Sequence, residues 1–175
     1  VTSDEEELMG PPRGEVRQVG DLDIHFHIYG EGERVVVFVH GSGPGASGYS
    51  NFKKNVETFV GAGYKVVVPD LPGFGYSSKP TDADYTSEFF SAHLVGLLDS
   101  LGVRIFSLIG NSLGGAISIR TALDHPDRVS KLILMAPGGI EDIETYMAMP
   151  AMAKMINNFV GGQLDREGLR GVLET

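Results

Sequence analysis

A chain of 175 residues with 42% hydrophobic side chains can bury one substantial core, and its composition is that of a globular domain. Its 14 Lys and Arg against 23 Asp and Glu leave a net charge of −9 with no basic cluster to neutralise phosphates, which argues against a nucleic-acid partner. The absence of cysteine excludes disulfides, a thiolate nucleophile and cysteine metal sites, and no apolar run approaches the ~20 residues of a membrane helix.

Residues 1–13 read as a flexible arm. Val1–Glu7 is acidic and polar, unlike a signal peptide, so a cytoplasmic location is expected, and the Asp4–Glu7 charge run reads as solvated rather than as a metal site. From Glu15 to Tyr29 apolar and polar residues alternate, which predicts an antiparallel hairpin turning near Gly20-Asp21. His25 and His27 fall opposite Ile24, Phe26 and Ile28 and are expected to be exposed strand histidines. Arg34–Val39 is a continuous apolar run of the kind buried on both faces of a parallel sheet.

That strand runs into His40-Gly41-Ser42-Gly43-Pro44-Gly45-Ala46-Ser47-Gly48, where glycines let backbone N–H groups approach a ligand. A phosphate-binding loop is the competitor, but the Gly-Lys-Ser/Thr ending is missing, and so is the dinucleotide spacing with its acidic partner. An oxyanion loop fits better, with His40 as a structural anchor. Tyr49–Val60 is expected to be one helix, stopped by Gly61-Ala62-Gly63, and Tyr64–Val68 the next buried strand. It ends in Pro69-Asp70-Leu71-Pro72-Gly73-Phe74-Gly75-Tyr76-Ser77, where Asp70 reads as a turn-stabilising residue rather than a catalytic acid. Thr86–Leu101 reads as a helix ended by Gly102, with His93 an ordinary helix residue.

Arg104–Ile109 is a further apolar strand, followed by Gly110-Asn111-Ser112-Leu113-Gly114-Gly115 and the helix-compatible Ala116–Leu123. This is the G-x-S-x-G pattern in the strand–turn–helix setting a nucleophile elbow demands. Reversing the chain around Ser112 leaves no room for a Cβ two residues before or after it. The helix N-terminus aims free N–H groups where an oxyanion would develop. A glycine-rich turn with an idle serine is the competing reading. Val129–Met135 supplies another apolar strand, closed by Ala136-Pro137-Gly138-Gly139. Strands alternating with helices predict an α/β architecture, mostly parallel, with helices on both faces and ligands at the carboxyl edge. Residues 140–175 hold no buried-strand run; Met147, Met149, Met152 and Met155, with breaks at Pro150 and Gly161-Gly162, suggest the beginning of a helical cap.

Taken together, the Gly-Asn-Ser-Leu-Gly-Gly-Ala elbow, the His-Gly-Ser-Gly-Pro-Gly-Ala loop with Ser50-Asn51-Phe52 after it, and Pro-Asp-Leu-Pro-Gly-Phe-Gly-Tyr-Ser resemble the α/β-hydrolase superfamily. Within it they are similar to the meta-cleavage-product hydrolases, over roughly Gly14 to Gly139. The resemblance implies residues 14–139 as the amino-terminal part of the hydrolase core and 140–175 as the start of the cap. It implies cleavage of a carbon–carbon bond in a 2-hydroxy-6-oxohexa-2,4-dienoate-type ring-fission product of aromatic degradation. The dienol is first ketonised, and water or serine then attacks the distal ketone. Ser112 would be the nucleophile or the group that positions water. The Ser42 and Leu113 amides would form the oxyanion hole, and Gly43, Asn51 and Asn111 would contact the polar end of a small anionic dienoate. No metal or organic cofactor, no membrane and a homo-oligomer are implied.

The family's triad runs serine, acid, histidine, and here no histidine follows His125. Arg166 and Arg170 do not match the family's cap arginine. The triad acid, its histidine and that arginine are therefore expected beyond Thr175, and the chain as written is expected to lack ordinary triad catalysis. A serine esterase or lipase-type hydrolase, and a non-catalytic binding protein on the same scaffold, are the alternatives. Ser112 disfavours the dehalogenase and epoxide hydrolase branches, which use aspartate at the elbow.

Overall fold

The valine-rich run Arg34–Val39 forms β3 inside a six-stranded sheet in the computed structural model, which describes residues 13–161. Val37 and Val39 face one layer of the core and Val36 and Phe38 the other, as the two-residue period of a strand requires. In chain order the elements are β1 (Glu15–Val19), β2 (Leu22–Tyr29), β3, α1 (Gly48–Phe52), α2 (Val56–Gly61), β4 (Tyr64–Pro69), α3 (Ser87–Ser100), β5 (Phe106–Asn111), α4 (Leu113–Asp124), β6 (Val129–Met135), α5 (Ile143–Ala148) and α6 (Pro150–Val160). The strand order is β1-β2-β4-β3-β5-β6. β3 pairs in parallel with β4 and β5, and β5 with β6, while the hairpin β1–β2 joins β4 antiparallel. This is the expected mostly parallel α/β sheet, with the hairpin turn at Gly20 in the left-handed region, φ 59°.

Helices cover both faces. Phe90, Leu94 and Leu98 of α3 and Ile117 of α4 pack on Val37, Val39, Val67 and Leu108, and Phe52 and Val56 pack on Val36, Phe38, Val66 and Val68 across the sheet. Burying a side chain such as Phe38 is worth about 1.5–3 kcal/mol. The expected single helix over Tyr49–Val60 is two. Its apolar positions Phe52 and Val56 both reach the core, but Lys53, Lys54 and Asn55 are exposed and have nothing to bury, and the chain turns there with the Asn55 N–H on the Phe52 carbonyl at 2.8 Å.

The apolar strand expected at Val129–Met135 forms, but Leu132, Ile133 and Met135 are exposed, unlike the buried runs of β3, β4 and β5. β6 is the last strand of the sheet, with one edge unpaired among the described residues. The chain divides into two compact units, Val1–Gly138 and Gly139–Thr175. In the second, Pro150 opens α6 rather than merely ending α5, since a first-turn proline gives up no intrahelical bond. Residues 1–12 of the expected arm, and 162–175 with Arg166 and Arg170, lie outside the described residues.

Candidate active site

Ser112 stands alone between the last residue of β5 and the first of α4, with φ 53° and ψ −116°. A residue bearing a Cβ holds such a conformation at a cost of about 1–3 kcal/mol. The surroundings impose it. The Ser112 N–H donates to the Met135 carbonyl at 3.0 Å, and the Ser112 carbonyl accepts from Gly115, Gly138 and Ala116 at 2.9, 3.0 and 3.3 Å. The glycines are there for closeness: a Cβ on Gly110 would run into the Gly114 carbonyl and lie 2.6 Å from Ser118 Oγ. One on Gly114 would run into the Val39 carbonyl oxygen and lie 2.6 Å from that of His40. So α4 presses directly on the end of β3. The Ser112 side chain is exposed, and its hydroxyl makes no hydrogen bond among the described residues.

The helix start and the loop after β3 both come up to Ser112. The first carbonyl of α4 to receive an intrahelical bond is that of Ser112, so the Leu113 N–H has no carbonyl one turn behind it. From β3, the buried Gly41 lies against the elbow: a Cβ there would be 3.2 Å from Ser112 Cβ and 3.3 Å from the Asn111 carbonyl. Ser42 follows, exposed. Gly43, at φ 131°, has nothing within 4 Å of where a Cβ would be.

Asn51 Oδ1 accepts both the Gly41 N–H at 3.2 Å and Asn111 Nδ2 at 3.1 Å. The two asparagines, sixty residues apart, therefore hold the loop after β3 and the elbow together. Asn51 Nδ2 and Asn111 Oδ1 make no other hydrogen bond among the described residues. Ser112, Asn111, Asn51 and Gly41 converge, and Ser42 and Gly43 follow Gly41 in the same loop.

None of the five histidines hydrogen-bonds the Ser112 hydroxyl. His40 is fully buried, and burial holds its pKa below the ordinary value. Neutral, it accepts the Leu71 N–H at Nε2 (3.0 Å) and donates from Nδ1 to the Gly41 carbonyl (2.7 Å), which is the anchor its position suggested. His93 binds the Phe89 carbonyl of its own helix at 2.8 Å.

His25 and His27 correct the sequence reading. They are buried, at 7% and 4% exposure, because the loop after β4 and Tyr49 of α1 cover the strand face that alternation assigned to solvent. His25 Nδ1 pairs with Asp70 Oδ2 at 2.9 Å. His27 Nε2 is buried with no hydrogen-bond partner among the described residues, and burial first, then neighbouring His25, lowers its pKa. Asp70 stabilises its turn as expected, accepting the Tyr76 N–H at 2.9 Å, but also reaches His25 and Gly48. Nothing in the sequence signalled that couple, since its members are 45 residues apart. Among the described residues no group of three or more His, Cys, Asp or Glu could hold a metal, and no helix is long and apolar enough to cross a membrane.

The α/β hydrolase fold family matches residues 34–168. A 2-hydroxy-6-oxononadienedioate/2-hydroxy-6-oxononatrienedioate hydrolase of a Pseudomonas species is 45% identical over 151 residues, covering 86% of this chain and 53% of that protein. One from Dechloromonas aromatica is 45% identical over 130 residues, covering 74% and 45%. The chain spans about half the length of the curated relatives it matches. A solved meta-cleavage product hydrolase from Pseudomonas fluorescens, complexed with acetates, superimposes with a TM-score of 0.78 at 28% identity over 92% of this chain and 56% of the other.

Proposed function

This chain belongs to the α/β hydrolase fold family, and from that premise we propose that it serves a hydrolase cleaving a carbon–carbon bond in a 2-hydroxy-6-oxohexa-2,4-dienoate-type ring-fission product. The observation that carries the reading is the elbow: an exposed Ser112 with the Leu113 amide on one side and the loop from Gly41 packed on the other. The names of relatives at 41–45% identity support a dienoate over a simple ester.

In this reading Ser112, or a water that it positions, adds to the distal ketone of the ketonised substrate. The carbonyl oxygen becomes an alkoxide, stabilised by the N–H groups of Leu113 and Ser42. As the alkoxide collapses, the carbon–carbon bond breaks, and its electron pair is taken up by the newly formed ketone as an enolate. Without that ketone the carbon leaving group would be far too poor. The dienolate takes up a proton, balancing the one the attacking hydroxyl or water gives up, and leaves as 2-hydroxypentadienoate. Where water has added, the other fragment is released directly as a carboxylic acid; where Ser112 has added, it remains as a Ser112 ester that a water then hydrolyses to the acid. Asn51, Asn111 and Gly43 contact the polar dienoate end, with Asn51 Nδ2 as donor and Asn111 Oδ1 as acceptor. Residues 14–139 act as core and 140–175 as the start of a helical cap. The setting is a cytoplasmic homo-oligomer.

The test is the complete gene product with a synthetic ring-fission dienoate and a p-nitrophenyl ester. Loss of the dienoate chromophore is expected, slowed roughly 10³-fold or more in Ser112→Ala. Ester turnover without dienoate turnover would replace the reading with an esterase. Neither activity, with no labelling by a fluorophosphonate, would favour a binding protein.

A further inference from the structure

Asp70, at the carboxyl end of β4, is 1% exposed, and its carboxylate accepts three hydrogen bonds. Oδ2 takes the Tyr76 N–H and His25 Nδ1, both at 2.9 Å, and Oδ1 takes the Gly48 N–H at 2.8 Å. The Tyr76 bond closes Asp70's own turn. The Gly48 bond crosses to the first residue of α1, the helix that carries Asn51. A Cβ on Gly48 would stand 2.6 Å from the Pro69 carbonyl oxygen, so only a bare backbone comes this close to the strand. His25 is itself held, its N–H on Ser77 Oγ at 2.9 Å, and it keeps the carboxylate turned so that Oδ1 meets Gly48. On the same face of β2 the His27 ring lies 4.9 Å from that of His25 and 5.8 Å from that of Tyr49 in α1, so β2 supports the helix from below.

The stretch from Gly41 to Gly48 is tied at both ends to other elements, and between them it is held by its own bonds, the Ala46 N–H on the Gly43 carbonyl at 3.1 Å and Ser47 capping α1 through Ser50. Gly41 is held by Asn51 and Gly48 by Asp70, while a Cβ on Gly43 or Gly45 would meet nothing within 4 Å. We propose that Asp70 is a positioning residue for the oxyanion amides: through Gly48 and α1 it sets where Asn51 holds Gly41, and so where the Ser42 N–H sits beside Ser112. This rests on the roles given to Ser42 and Ser112 above.

Amide hydrogen exchange on the ¹⁵N-labelled chain tests the linkage without any turnover. Asp70→Asn is expected to speed exchange at Gly48 and also at Gly41 by tenfold or more, while the Val66 and Val67 amides of β4 keep their protection. Faster exchange at Gly48 and Tyr76 alone, with Gly41 unchanged, overturns the proposal. Asn51→Ala is the second variant, and it decides the matter if Asp70→Asn does not fold. It should free Gly41 tenfold while Gly48 stays protected, and a Gly41 amide that stays protected there overturns the proposal. In the complete gene product, Asp70→Asn should lower kcat at least tenfold on the dienoate and the ester alike, with KM for the ester within threefold. A loss on the dienoate alone would overturn the proposal, because the oxyanion amides serve both substrates. Absence of dienoate turnover in the wild type would instead sink the carbon–carbon reading and leave the exchange result standing.

Discussion

Replacing Ser112 by alanine and by glycine separates the strain of the elbow from its chemistry. Both variants lose the hydroxyl, and Ser112 is exposed and its hydroxyl makes no hydrogen bond among the described residues, so alanine should match the wild type in stability within about 0.5 kcal/mol. Alanine keeps the Cβ and with it the cost of φ 53°, ψ −116°, about 1–3 kcal/mol. Glycine removes that cost but gives the unfolded chain more freedom, worth about 0.4–1 kcal/mol. The difference leaves Ser112→Gly more stable than Ser112→Ala by roughly 0.5–2 kcal/mol. At 2–4 °C per kcal/mol for a chain of this size, that is a Tm higher by about 1–8 °C. Differential scanning calorimetry of the two variants, with urea midpoints as a check, reads it directly. A glycine variant equal to or less stable than alanine would refute the argument that the serine is held in a strained conformation by its neighbours.

Gly114→Ala is expected to cost 3 kcal/mol or about that, or to prevent folding, because its Cβ would meet two β3-end carbonyls that cannot move apart; urea denaturation measures it, and a loss under about 0.5 kcal/mol would mean that α4 slides freely along β3. Acid should destabilise the fold through His27 and His40. Both have folded pKa values below the ordinary 6.5, so the unfolded chain binds their protons first. Their contribution is complete above pH 6.5 and is lost as the pH falls below it toward the lowered values, with a slope of up to about 1.4 kcal/mol per pH unit for each. Stability against pH in His27→Phe should be flatter than in the wild type over that range, and equal slopes would show that His27 is not held neutral.

The local sequence was enough for the elements nearest the chemistry. Gly110, Gly114 and Ser112 announce a chain reversal because only the absence of a Cβ lets β5 and α4 come so close, and Arg34–Val39 announces a strand buried on both faces because every residue after Arg34 is apolar. His40 as an anchor and Asp70 as a turn residue follow from the same local chemistry. Alternation, however, describes only one strand's two faces, not what comes to lie on them. It left His25 and His27 in solvent, and only the return of the loop after β4 and the seating of α1 buried them. The meeting of Asn51 with Asn111 and Gly41, and of Asp70 with Gly48 and His25, belongs likewise to strand order: β3 lies between β4 and β5, which brings three loops distant in sequence to one edge of the sheet. Short-range preferences act within a few residues of the chain, whereas these hydrogen bonds span ten to sixty, so they exist only once the sheet has closed around β3.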